Sequence, residues 1–214
     1  SSPEYTVDAV AWARRDLPVD STRILLPGSS GGGHMTPPRA GLYPEVWRAA
    51  SAWAPITSLP AWYEKHAGAR YGEMMRACTG GAPGDGDAVD REYRARSPLT
   101  HLHRAGNLPV DIAAGVHDGH KGSVPIRHSL EAFNVLAKAL DAPEITPGEI
   151  EQLSAPEGRL ANPGPGDQII DPSFSRRIYL RRTAGRSRVT IFEGGHEGIA
   201  SAAAEWLERQ ASRE

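Results

Sequence analysis

The sequence predicts an α/β fold: a mostly parallel sheet flanked by helices. Short apolar runs around Leu25-Leu26, 49–53, 110–115 and 188–192 read as strands, and longer stretches with apolar residues at helical spacing lie between them. A serine, an aspartate and a histidine each follow the C-terminal end of such a run, which is the edge where open parallel sheets assemble their sites. Glycine and proline, 23 and 18 residues, fall mainly in the connecting segments, as they do in α/β proteins with many loops.

Taken in order, Thr6 to Ala13 reads as a short helix with Val7, Val10 and Ala11 on one face. Arg14 falls on that face one turn later, so the apolar stripe ends there. Leu25-Leu26 then enters Pro27-Gly28-Ser29-Ser30-Gly31-Gly32-Gly33-His34, where Ser30 is the centre of a G-x-S-x-G pentapeptide. Such a strand-to-helix corner holds its serine hydroxyl above the sheet edge, and glycines are expected at 28 and 32 because a side chain would collide across the turn. The N–H of Gly31 opens the next helix and is the candidate donor to an oxyanion. Pro37 and Pro38 fall inside that helix, where an interior proline costs about 3 kcal/mol, so a short, kinked helix is expected.

The next strand is centred on 49–53, is ended by Pro55, and precedes a helix over 59–66. The segment from about 58 to 105 is helical and loop-rich, broken at Gly80-Gly81-Ala82-Pro83-Gly84, and reads as a cap-like insertion bounding a substrate pocket. His34, Trp53 and Trp62 are the candidate pocket residues, joined by Tyr63 and Tyr71; ordinary core packing is the alternative for the aromatic side chains. Cys78 reads as a structural residue at the buried end of a helix, and being alone it forms no intrachain disulfide.

Val110 to Gly115 is a buried strand leading to His117-Asp118-Gly119, and 125–140 has the spacing of a helix with one face on the sheet. From about 141 to 177 the chain is turn-rich and reads as an insertion. Ile178-Tyr179-Leu180 and Val189-Thr190-Ile191 flank Gly185 as a hairpin. Arg176, Arg177, Arg181, Arg182, Arg186 and Arg188 crowd it, as a solvated sheet edge or as a clamp for an anion. Glu193-Gly194-Gly195-His196 follows the last strand, and a helix over 199–207 closes the chain.

At 214 residues the chain is expected to be one domain, 1–214. A formal charge of −2 argues against a general nucleic-acid or anionic-membrane binder, and no apolar run approaches the about 18 residues of a membrane span. His117-x-x-His120, with His128 nearby, lacks the i, i+4 helical spacing of zinc-binding histidines, and Asp85-Gly86-Asp87 lacks the ligand spacing of an EF-hand. No metal and no cofactor is called for.

Ser30, Asp118 and His196 form a chemically complete set. A serine hydroxyl needs a neighbouring base to become a nucleophile at neutral pH, and histidine, with a reference pKa near 6.5, can take and return that proton. An aspartate orients the imidazole and stabilises its charged form.

The chain resembles the α/β-hydrolases of the prolyl oligopeptidase-like group. The matching pieces are Val19-Asp20-Ser21-Thr22-Arg23-Ile24, Gly28-Ser29-Ser30-Gly31-Gly32, Arg96-Ser97-Pro98-Leu99, Pro109-Val110-Asp111-Ile112, Gly115-Val116-His117-Asp118, Val124-Pro125 and Gly194-Gly195-His196. The order serine, acid, histidine is that of this superfamily. The resemblance implies an α/β-hydrolase fold with Ser30 as nucleophile, Asp118 as orienting acid and His196 as general base. It further implies acyl transfer to water from a small-molecule ester or a short peptide. It also implies several strands before the nucleophile strand, whereas 29 residues precede Ser30; the first strands and the loop giving a second oxyanion N–H are therefore expected to be missing. An inactive α/β-hydrolase-like module serving in binding or structure is the alternative reading. The oligomeric state is left open.

Overall fold

The computed structural model describes residues 4–212. Six strands form a mixed, mostly parallel sheet: β1 (Leu25–Ser29), β2 (Ala49–Trp53), β3 (Val110–Gly115), β4 (Ile170–Asp171), β5 (Arg176–Ala184) and β6 (Ser187–Phe192), in the order β1-β2-β3-β6-β5-β4. β1, β2, β3 and β6 run parallel, while β5 and β4 are added antiparallel at one end. Eight helices flank the sheet: α1 (Glu4–Asp16), α2 (Gly31–Leu42), α3 (Leu59–His66), α4 (Arg70–Thr79), α5 (Asp87–Arg96), α6 (Arg127–Ala139), α7 (Pro147–Ser154) and α8 (Ala200–Ala211).

The parallel strands β2, β3 and β6 are buried along their whole length, because helices cover both faces. Side chains alternate between those faces. Ile112 joins Leu130, Phe133 and Leu136 of α6 in the main core, whereas its neighbour Ala113 joins Trp53, Phe174 and Phe192 on the side covered by α8. α1 reaches the main core through Val7 and Val10, but Ala11 is exposed. Arg14, where the stripe ends, donates to the carbonyls of Ser21 and Val46.

One polar row crosses this apolar sheet. Ser51, Asp111 and Arg188 stand side by side in register. The Asp111 carboxylate accepts from Arg188 Nε at 2.7 Å and from Ser51 Oγ at 2.8 Å, and Trp53 Nε1 donates to the same Oγ. The Asp111 side chain is wholly buried. Removing one member of a buried pair leaves the other uncompensated. Asp111→Ala is therefore expected to lower unfolding free energy by about 3–5 kcal/mol, read by urea denaturation. A loss below about 1 kcal/mol, the size of an exposed pair, would contradict this account.

Several sequence expectations need correction. α2 is one continuous helix of 12 residues that runs through Pro37 and Pro38, not one cut short by them. Both prolines are buried in the packing of α2, and Thr36 Oγ1 and Arg39 Nη1 donate to the carbonyls of Gly32 and Met35 in the same helix. Cys78 lies in the last turn of α4 but is exposed, because that turn carries Met75 and Thr79 inward instead. The stretch 141–177 is not merely loop. It contains α7, started by a capping box between Thr146 and Glu149, and the short β4.

The hairpin arginines are neither a bare solvated edge nor a free cationic clamp. Arg181 pairs with Asp171, Arg182 with both Asp167 and Glu149, Arg176 with Glu197, and Arg188 with Asp111. Desolvation opposes the charge on Asp171, yet hydrogen bonds from Ser173 and Arg181 outweigh it and hold its pKa at about 2. Arg181 and Arg182 thus staple the 141–177 segment to β5.

Candidate active site

Ser30 sits between β1 and α2 with φ of 54°, a left-handed conformation that a non-glycine residue keeps only when its surroundings impose it. Those surroundings are close backbone contacts. A Cβ on Gly28 would lie 2.3 Å from the Gly32 carbonyl oxygen, and one on Gly33 would lie 2.4 Å from that of Trp53. Gly31 and Gly32 have open space at the corresponding point. The expectation for Gly28 holds, but the second cramped glycine is Gly33 rather than Gly32, because it is α2's packing against the end of β2 that leaves no room. Ser30 N donates to the Trp53 carbonyl at 2.9 Å, tying the corner to β2. Gly31 is the first residue of α2, so its N–H has no acceptor within the helix.

The three residues from distant parts of the chain meet above the C-terminal ends of β1, β3 and β6. His196 Nε2 is 2.8 Å from Ser30 Oγ, and His196 Nδ1 is 2.7 Å from Asp118 Oδ2. Asp118 is 1% exposed, and its second oxygen, Oδ1, accepts from the backbone N–H groups of Gly119 and Val124. The carboxylate is therefore aimed by its own loop before the imidazole reaches it.

Two further contacts hold the acid and histidine loops together. His117 Nε2 is 2.6 Å from Glu193 Oε1, linking the residue before Asp118 to the start of the histidine loop. Tyr179 donates to the other Glu193 oxygen, and hydrogen bonds from Tyr179 and His117 hold the Glu193 carboxyl below its ordinary range. Arg176 pairs with Glu197, which also accepts from Gly195 N. Sequence reasoning missed Glu193 and Glu197 in this role; each lies within three residues of His196, and no motif distinguishes them from solvated carboxylates.

Beside α2 and beneath α3–α5 lies a cavity of about 700 Å³. His34 and Trp62, two of the three expected pocket residues, line it, together with Met35, Ile56, Leu59 and Tyr71. Trp53 does not; it is 2% exposed in the core with Phe174 and Phe192 and borders a separate shallow recess. Burial, the largest influence, lowers the pKa of His34, whose ring donates through Nδ1 to the Ile56 carbonyl at 2.8 Å. Trp62 Nε1 donates to the Ser123 carbonyl and His66 Nε2 contacts it at 2.8 Å, so α3 grips the loop that carries Asp118.

His117, His120 and His128 have separate partners: Glu193, the Ser154 carbonyl and the 57–58 backbone. His128 Nδ1 accepts from Thr57 N and Ser58 N, and burial holds its pKa down at about 4. Unfolded histidine titrates near 6.5, so between these values the unfolded chain binds more protons. Stability is full above about pH 6.5 and is lost as pH falls towards 4, by an amount of order 3 kcal/mol. Urea melts at pH 7 and 4.5 should show this loss, and His128→Asn, which keeps an acceptor without the titration, should flatten it.

Known proteins share this fold and parts of this sequence. The model of the prolyl oligopeptidase family matches residues 4–146, a span that holds Ser30 and Asp118 and stops short of His196. Feruloyl esterase B of Talaromyces stipitatus is 28% identical over 116 residues, covering 54% of this chain and 26% of its own. Among solved structures, a puromycin-hydrolysing peptidase of Mycobacterium tuberculosis superposes with a TM-score of 0.57 at 19% identity, over 97% of this chain and 23% of that one. The acylaminoacyl peptidase of Pyrococcus horikoshii follows at 0.55 and 16%, over 97% and 25%. The chain thus spans about a quarter of the length of each of these proteins. The structural likenesses establish the α/β-hydrolase fold. With the family match running from the first described helix past the acid loop, the chain belongs to the prolyl oligopeptidase family, a family of hydrolases.

Proposed function

We propose that this chain is a serine hydrolase that cleaves an ester or amide bond through an acyl-enzyme intermediate. The observation that carries the proposal is the unbroken row from Ser30 Oγ through His196 to Asp118, with links of 2.8 and 2.7 Å, set on a residue held at positive φ. His196 Nε2 takes the Ser30 proton as Oγ attacks the carbonyl carbon, then returns it to the leaving alkoxide or amine. A water then attacks the acyl-enzyme with the same histidine as base, releasing the acid and restoring Ser30. Asp118 keeps the Nδ1–H tautomer facing itself, and the Gly31 N–H meets the oxyanion. This chemistry needs no cofactor or metal.

The substrate is a small ester or short peptide whose acyl side enters the cavity beside His34 and Trp62. Helices α3–α5, within 58–105, act as its cap, and 141–177 is a further insertion on a single domain. An esterase-like preference is favoured, because the cavity is mostly apolar where it borders α2 and α3, and because one relative is a feruloyl esterase.

The test is covalent labelling with a fluorophosphonate probe. One label per chain is expected, and none after Ser30→Ala. Absence of labelling in folded wild-type protein would instead support an inactive binding module. Rates on p-nitrophenyl acyl esters against proline-linked amides then separate esterase from peptidase.

A further inference from the structure

Arg39 is the anomaly of this site. It stands on α2 nine residues beyond Ser30, about 13 Å along a helix that rises 1.5 Å per residue, and it forms part of the cavity wall. Its residue is 4% exposed. Arg188, the other buried arginine, has Asp111 as counter-ion, whereas Arg39 forms no ion pair among the described residues. Among the described residues its guanidinium has only neutral partners: Nε donates to Thr6 Oγ1 at 2.7 Å and Nη1 to the Met35 carbonyl at 2.8 Å. Nη2 has no hydrogen bond to a described residue, and Arg39 borders both this cavity and a shallower recess against α1 that is lined by Thr6 and Met35.

A guanidinium does not shed its proton to escape burial, so its charge persists without an anion to balance it. Desolvation, the largest influence, disfavours that charge and lowers the Arg39 pKa, and its field in turn helps to hold His34 neutral. Glu92, the one carboxylate on the cavity wall, is already taken by Arg96 at 2.7 Å. Met35, Pro38, Leu42 and Ile56 give the wall an apolar stretch, and His34, Thr79, Arg96 and His101 are among its other polar residues. The cavity therefore offers an apolar run that starts one helical turn from Ser30 and passes a lining cation with no counter-ion among the described residues, and a guanidinium pairs well with carboxylates.

We propose that Arg39 binds a carboxylate at the far end of the substrate's acyl group, so that the preferred substrates are esters or amides of an apolar acid bearing a second, remote carboxylate. This rests on the hydrolase reading and specifies the substrate class of the same site.

The test compares two acyl donors, the mono-p-nitrophenyl ester of sebacic acid and its methyl-capped counterpart. In wild-type protein the free-acid ester should have a kcat/KM about tenfold higher, the worth of one charge-assisted hydrogen bond. Arg39→Met should bring the ratio to about one, and Arg39→Lys should keep part of it; an unchanged ratio in both variants overturns the proposal. Binding is read independently on Ser30→Ala protein. Sebacate should raise its Tm, while acetate at equal concentration should not, and the shift should vanish when Arg39→Met is added. A shift by acetate as large as that by sebacate would reduce Arg39 to a general anion site and also overturn the proposal. Ester turnover with no preference and no sebacate shift refutes the carboxylate site and leaves the hydrolase intact. An Arg39-dependent sebacate shift without turnover of any ester keeps the site and refutes the hydrolase.

Discussion

Ser30→Ala should lower kcat/KM on any ester that the wild type turns over by about 10⁴–10⁶-fold, with little change in Tm. In the proposed mechanism the hydroxyl oxygen is the atom that becomes acylated, and the substitution removes nothing else than this one oxygen on a partly exposed residue. His196→Ala should cost as much, because the imidazole is the only base within reach of Oγ among the described residues. The sharper expectation is that the double variant is no worse than either single one. Groups that act on one proton transfer are grossly non-additive, whereas two unrelated surface residues would multiply their effects.

Asp118→Asn extends the argument to the acid. Oδ1 accepts two backbone N–H groups and Oδ2 faces His196 Nδ1. If the asparagine oxygen takes the Oδ1 place, its NH₂ faces Nδ1 and forces the imidazole proton onto Nε2, pointing at the nucleophile. If it is flipped, NH₂ meets two N–H donors. Neither arrangement serves the base, and a loss of about 10⁴-fold with the fold retained is expected. Steady-state kinetics with a circular dichroism control check all four variants.

How much of this is legible in the sequence follows from how local each signal is. Ser30, Asp118 and His196 each end a short apolar strand and lie beside glycines, so periodicity and turn chemistry point to them one at a time, and a parallel sheet brings strand ends to one edge. The helical character of α2 was harder to read. Propensity counts Pro37 and Pro38 against it, while tertiary packing of a buried helix outweighs that cost. Gly33 was indistinguishable from Gly32 because what excludes a side chain at 33 is the Trp53 carbonyl, twenty residues away. Asp111 reads as a strand residue, yet its meaning comes from Ser51 and Arg188 on neighbouring strands. Glu193, Glu197 and Arg39 are of the same kind: their roles depend on which charges meet or fail to meet across the fold, and no window of sequence contains both partners.

Gly122→Ala tests how tightly the acid is held, at a position outside the wall of the cavity beside α2. The loop 119–123 folds back over Asp118, and a Cβ at 122 would lie 2.2 Å from Asp118 Oδ1 and 2.8 Å from His196 Cβ. Neither atom belongs to a free chain end. Oδ1 is held by Gly119 N and Val124 N, and His196 is held between Ser30 and Asp118. The methyl must push the carboxylate or the imidazole out of line, or displace a loop that Trp62 and His66 grip through the Ser123 carbonyl. A displacement of about 1 Å in a reacting set costs about 10²-fold, and full loss of the orienting contact about 10⁴-fold. The fall in kcat should lie between these limits with KM nearly unchanged, since the cavity beside α2 is untouched. Overpacking should cost stability by about 1–3 kcal/mol. Combining Gly122→Ala with Asp118→Ala should add no further loss in kcat if the methyl acts through the carboxylate. A multiplied loss would mean that Gly122 matters by another route, and an unchanged kcat in the single variant would mean that the acid loop tolerates motion that the hydrogen-bonded row should not.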